Sequence, residues 1–159
     1  MAQTRRDLAY FHLPGLFEFY PLYRVFLPLY REHPEYFYGW CAIGSIYGAP
    51  ADCIWGGGRV GFGDDRPEDV LALLEECGIS ARLTFSNSLL RQEHLSDRRC
   101  NALCRRFGSR EGNGVIVASD LLTDYLRRQY PALYLVSSTT KVLTDWDAFV
   151  RELNRPEFR

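Results

Sequence analysis

The chain is expected to fold as an α/β protein, a partial (β/α) barrel of about five mostly parallel strands behind an aromatic-rich N-terminal helical segment. Three observations predict this. Residues 114–141, GVIVASDLLTDYLRRQYPALYLVSSTTK, read as strand, helix, strand, and two strands joined by one helix lie parallel with a right-handed crossover. Five strand candidates alternate with helical patterns along the second two-thirds of the chain, the sequence form of a β/α barrel or a doubly wound sheet. The 159 residues, 47% hydrophobic and 25% charged, are enough for one domain with a core.

From the N-terminus, residues 1 to about 15 read as a polar leader. The next stretch, Leu16 to Tyr38, holds nine of the 20 Phe and Tyr residues. It suits a helix from about Pro21 to Arg31, because proline is tolerated in a first turn, with a second short helix from Pro34. Its aromatics fit two readings, a helical layer packed on the domain or a face that binds a partner or stacks on nucleobases. Residues 1–40 are accordingly set apart as leader and helical segment, and residues 41–159 as the barrel domain.

Cys41 to Tyr47 reads as a first strand, broken by Gly48-Ala49-Pro50, and Asp52 to Trp55 as a second. The glycine run Gly56-Gly57-Gly58 with Arg59 follows. Glycines let backbone amides approach a ligand closely, so this loop with Arg59 suits a phosphate or carboxylate; a tight turn is the alternative. The loop has neither the Walker ending nor the dinucleotide spacing. Asp64-Asp65-Arg66-Pro67 opens a helix that Gly78 ends. Ser80 to Phe85 is the third strand, and a helix from about Ser96 to Phe107 leads to the 114–141 unit. Thr144-Asp145-Trp146-Asp147 resembles a capping box, before a final helix that runs to about Asn154.

The formal net charge of −1 gives no global field for nucleic acid, which is not an expected partner of this chain alone. No apolar run approaches the roughly 18 residues of a membrane span. Five unpaired-looking cysteines and the absence of a secretory pattern suggest a cytoplasmic protein. Cys100 and Cys104 share a helix face, but further ligands at metal-site spacing are not visible, so core packing is the expected role. The three histidines stand beside no serine or cysteine nucleophile, and no metal site is expected.

Ligands of parallel β/α sheets sit outside the carboxyl ends of the strands. Asn87, Asp120, Ser138, Thr139 and Lys141 follow successive strands and would converge on one rim. Asp120 is a candidate general base or a helix cap, with Ser119 competing for the capping role. Lys141 is a candidate holder of an anionic group or a solvated loop residue.

These strand ends resemble the collagenase-like peptidase family (family U-thirty-two), over roughly residues 41 to 154 and as the N-terminal half of its barrel only. APADCIWGGGR is similar to the family's GADAVYLGG segment and ARLTFSNSLL to its strand ending in Asn. GVIVASDLLTDYLRRQYPALYLVSSTTKV is similar to its VIVxDLGLL and HxSTQ units together. The resemblance implies a presumed peptidase, or a relative of the iron–sulfur proteins that support oxygen-independent hydroxylation of RNA bases or quinone precursors. It points to Asn87 and Asp120 as catalytic candidates and to Gly57, Arg59, Ser138 and Thr139 as ligand-binding ones. The chain departs from the pattern in lacking a helix between the opening two strands, in placing Asp120 one residue later, and in having Thr140 where the family has Gln. Family cluster cysteines lie late in the chain, so no cofactor is expected here, and an iron–sulfur cluster only if further cysteines follow Arg159. A half barrel has open strand edges. The expectation is therefore a fragment lacking its C-terminal half, or a homo-oligomer, whose small-anion or peptide-like ligand meets the strand ends. A non-catalytic interaction module using the aromatic N-terminal helices is the alternative.

Overall fold

The computed structural model describes residues 8–57 and 66–159. Five parallel strands, β1 (Ala9–Pro14), β2 (Cys41–Gly48), β3 (Ser80–Phe85), β4 (Gly114–Val117) and β5 (Tyr134–Ser137), pair in sequence order and curl into half a barrel. Five helices cover the outside: α1 (Tyr20–Glu32), α2 (Pro67–Glu76), α3 (Arg98–Gly108), α4 (Asp120–Gln129) and α5 (Trp146–Leu153). Each strand is followed by its helix, so the described chain is five β/α units.

Local chemistry sets the helix starts. Proline stands in the first turn of α1 and α2, where its missing N–H costs nothing. The Asp97 side chain accepts from Cys100 N (2.8 Å) at the start of α3, and Ser119 Oγ from Leu122 N (3.3 Å) at α4. At α5 the cap is Asp145, which accepts from Ala148 N at 2.8 Å, rather than Thr144.

Alternation along the strands divides the sheet into two faces. Ile46, Ala81, Leu83, Phe85, Val115, Val117 and Leu135 point outward and are buried against the helices. Leu27, Leu74, Leu103, Phe107, Leu122 and Leu126 meet them from the helix side. The inner face is different. Ser45, Tyr47, Ser80, Arg82, Thr84 and Tyr134 lie there, by register with the buried outward residues.

Three expectations need correction. The sheet begins within the presumed leader: Ala9–Pro14 pairs parallel with β2, which makes Cys41–Gly48 the second strand. α1 then stands between the two, supplying the helix expected to be missing, and its Tyr23 and Leu27 are buried in the common core. Residues 1–40 therefore contribute the first β/α unit. Second, Asp52 to Trp55 is not a strand; Ile54–Gly56 forms a 3₁₀ turn, with Gly56 N donating to Cys53 O at 2.9 Å. Buried Cys53 and Trp55 imitate strand alternation, but Asp52 has φ of 51°, which turns the chain. Third, Pro34–Tyr36 is a single 3₁₀ turn. Among the described residues, no helix is long and apolar enough to cross a membrane.

Candidate functional site

The loops after β2, β3, β4 and β5 form the rim, and they are stitched together in order. Asn87 N donates to Trp55 O (3.1 Å), Ala118 N to Phe85 O (3.1 Å) and Ser138 N to Val117 O (3.0 Å). Each strand end is thus held by its neighbour one β/α unit on.

The candidate residues gather in two groups. In the first, Asn87 clamps the Ile54–Gly57 turn: its Nδ2 donates to Ile54 O (2.8 Å), and its Oδ1 accepts from Leu89 N (2.9 Å). Gly57 ends that turn with φ of 80°, a conformation that strains a residue bearing a Cβ. Both ends of the Asn87 amide are engaged by backbone, which makes it a loop-positioning residue. Arg59, expected beside this turn, lies outside the described residues.

The second group is an ion network. Ser119 caps α4, which leaves the Asp120 carboxylate outside the capping bond. Asp120 Oδ1 accepts from Arg155 Nη1 (2.6 Å) and Lys141 Nζ (3.2 Å). Lys141 Nζ also donates to Glu152 Oε1 at 2.6 Å, and the two side chains are each only 12% exposed. Arg155 reaches Glu152 Oε2 (3.1 Å) and Glu157 Oε1 (2.6 Å), and Ser137 Oγ donates to Glu152. Ser138 sits at the edge of this network. Its Oγ accepts from Thr140 N (3.3 Å), and its carbonyl accepts from Lys141 N (3.2 Å), in the turn Thr139–Lys141. Thr139 is exposed. No hydrogen bond or ion pair among the described residues joins the Asn87 group to the Asp120 group.

Glu152, Arg155 and Glu157 were not foreseen. The only sequence signal was the (i, i+3) spacing of Glu152 and Arg155. Their convergence on Asp120 depends on the tail folding back: Phe158 bridges to Leu135 in parallel, and Arg159 N donates to Leu135 O at 2.9 Å.

The network sets the carboxylates' acidity. The Arg155 guanidinium, with Lys141, holds the Asp120 carboxyl below its ordinary range. Burial opposes ionisation of Glu152, but hydrogen bonds from Lys141, Ser137 and Arg155 outweigh it and keep that carboxyl low as well. An ion-paired carboxylate of lowered pKa is a weak base at neutral pH. Because both folded-state values are depressed, their stabilisation is present above the ordinary values of 3.8 and 4.5 and is lost as pH falls through the lower folded ones. Below about pH 4 the α5 amides are therefore expected to lose hydrogen-exchange protection ahead of the core strands. In Glu152→Gln that acid-dependent component should shrink; equal loss in both proteins would remove Glu152 from the account.

Between this network and α5 lies a pocket of about 280 Å³. Val142, Leu143, Phe149 and Leu153 form apolar walls, and Ser137, Ser138, Thr139, Lys141 and Glu152 supply polar groups. Elsewhere, Cys100 and Cys104 are fully buried on α3. A hydrogen bond with Cys53, followed by burial, pushes the Cys100 thiol up, and burial does the same for Cys104. Both are protonated core residues. No group of three or more His, Cys, Asp or Glu among the described residues is arranged to hold a metal ion. Comparison with protein-family models, with curated proteins and with solved structures gives no match.

Proposed function

We propose that this half barrel binds a small peptide-like ligand in the pocket between the end of β5 and α5. The carrying observation is the composition of the pocket: apolar walls from Val142, Leu143, Phe149 and Leu153 around a nearly buried Lys141–Glu152 pair. Such a site takes one apolar side chain, with its flanking amides meeting the Ser138 and Thr139 hydroxyls and Lys141 Nζ. The proposed role is binding rather than hydrolysis, since Asp120 is ion-paired and Asn87 is spent on its own loop. The resemblance of the strand ends to collagenase-like peptidases supports a peptide-like ligand.

The test is an NMR titration with N-acetyl-leucinamide. Saturable shifts in the 137–143 and α5 amides, lost in Phe149→Glu, are expected. Unchanged spectra at saturating amide, or cleavage of a casein substrate that depends on Asp120, would overturn the reading.

A second reading has its own observation. Phe19, Leu22, Val25 and Leu29 form an exposed apolar stripe at helical spacing along α1, opposite buried Tyr23 and Leu27. That stripe suits the face of an interaction module. A Leu22→Glu, Val25→Glu protein that loses self-association in sedimentation velocity while keeping N-acetyl-leucinamide shifts would assign the stripe to a second copy of the chain.

A further inference from the structure

The inner face of the sheet carries polar and charged side chains apart from the pocket. A closed barrel fills its interior with layers of bulky branched side chains. Here the row across β2, β3, β4 and β5 reads Tyr47, Arg82, Gly114 and Tyr134. Gly114 explains how the row is used. A Cβ at that position would lie 2.6 Å from Cε2 and Cζ of Tyr134. With glycine, the Tyr134 ring lies across β4 and reaches β3, where its hydroxyl accepts a hydrogen bond from Arg82 Nε. The same hydroxyl bonds to Ser80 Oγ at 2.8 Å.

Arg82 is thereby fixed through Nε, with its Nη groups open to solvent. Its guanidinium stands 5.2 Å from the Tyr134 ring centroid, and that of Arg159 stands 5.1 Å from the same centroid. Two like charges around one ring repel each other, a cost that a bound anion would offset. No carboxylate pairs with Arg82 among the described residues, and its Nη groups have no hydrogen-bond partner there. One row further along, on the same face of β3, Thr84 is 7% exposed and its Oγ1 has no partner. Buried hydroxyls are nearly always paired, so an orphan at this place marks a missing acceptor or donor. Thr84 lies about 7 Å along the strand from Arg82, a gap that a tetrahedral or planar oxyanion bridges. In the opposite direction, His12 Nδ1 and Ser45 Oγ are 2.9 Å apart. The Arg82 charge reaches His12: burial first, then Arg82, holds that imidazole below its ordinary value.

We propose that the inner face binds the oxyanion of a small molecule, a phosphoryl or carboxylate group, held bidentately by Arg82 Nη1 and Nη2 with Thr84 Oγ1 as the further donor. The fork geometry of arginine, its Nε already spent on Tyr134, leaves the two Nη groups for this purpose.

The histidines supply the readout. The chain has three, and of these His12 neighbours Arg82, with His33 and His94 as internal controls. Inorganic phosphate and acetate are titrated separately, at constant ionic strength, while the imidazole signals are followed by NMR. The expected result is a saturable shift of His12 alone, with its pKa raised as the anion offsets the Arg82 charge. Arg82→Gln should weaken binding roughly tenfold or more, and Thr84→Val, close in shape, by a few fold. Arg82→Lys should recover part of the Arg82→Gln loss by charge without the fork. Preference for phosphate assigns a phosphoryl group, and preference for acetate a carboxylate. If neither anion moves His12, or if it moves equally in Arg82→Gln and Thr84→Val, the site does not exist. Neither variant touches the pocket residues, so N-acetyl-leucinamide binding should persist.

Discussion

Trp55→Ala is expected to lower the unfolding free energy by about 3–5 kcal/mol, the usual cost of emptying a large aromatic from a core. Trp55 is 0% exposed and meets the edges of Phe85 and Tyr125, with centroids at 5.3 and 5.9 Å. Its Nε1 donates to His94 O at 2.8 Å. Its own carbonyl accepts from Asn87 N. One side chain thus ties the loop after β2 to β3, to α4 and to the loop that precedes α3. Loss of the ring leaves a cavity and an unpaired carbonyl together. Urea unfolding measures the cost, and a loss below about 1 kcal/mol would mean that the loop collapses into the space. Trp55→Phe, which keeps most of the volume but not the donor, should recover most of the deficit.

Glu152→Leu is expected to cost about 2–3 kcal/mol. Breaking a fully buried ion pair costs more, but Lys141 and Glu152 keep some exposure and Asp120 remains as a partner for both cations. Lys141→Met in the same background should restore stability, because the penalty of the single change comes from the cation left behind. A double variant less stable than either single one would mean that the pair is worth more than its desolvation cost. The two proteins also separate stability from binding. The double variant should unfold like the natural chain yet bind N-acetyl-leucinamide more weakly, since the polar floor of the pocket is gone.

Trp55 meets partners 30 or more positions away, and Glu152 meets Lys141 across a loop, contacts that no local pattern reveals. The strand at 80–85 announces itself by alternation of buried Ala81, Leu83 and Phe85 with Ser80, Arg82 and Thr84, and those at 114–117 and 134–137 as short apolar runs. The helices announce themselves through Pro67, Ser119 and the 3.6-residue stripes, and their caps are local. β1 does not. Tyr10 and Phe11 are exposed on an edge strand, so Ala9–Pro14 carries no alternation of buried and polar residues for a pattern to reveal. Asp52 to Trp55 carries the alternation without being a strand, since a 3₁₀ turn can also bury alternate residues.

The candidate site divides in the same way. That polar residues gather at the carboxyl ends of the strands follows from β/α repetition, and Asn87, Asp120, Ser138 and Lys141 were named on that ground. Their employment was not readable. Asn87 is a clamp because Ile54 O lies 2.8 Å away, and Asp120 is an ion-pair partner because the tail returns Arg155 to it. Nothing beside Arg82 in the sequence marks it out inside a strand; its surroundings come from Gly114 and Tyr134 on the next two strands. By itself the sequence determined the β/α repetition from Ser80 onward and the order of those units, because periodicity acts within a few residues. Only the tertiary structure decided the edge strand, the ion network and the charged inner face, because these depend on sheet register and on the return of the 154–159 segment, which bring together residues as far as 54 positions apart.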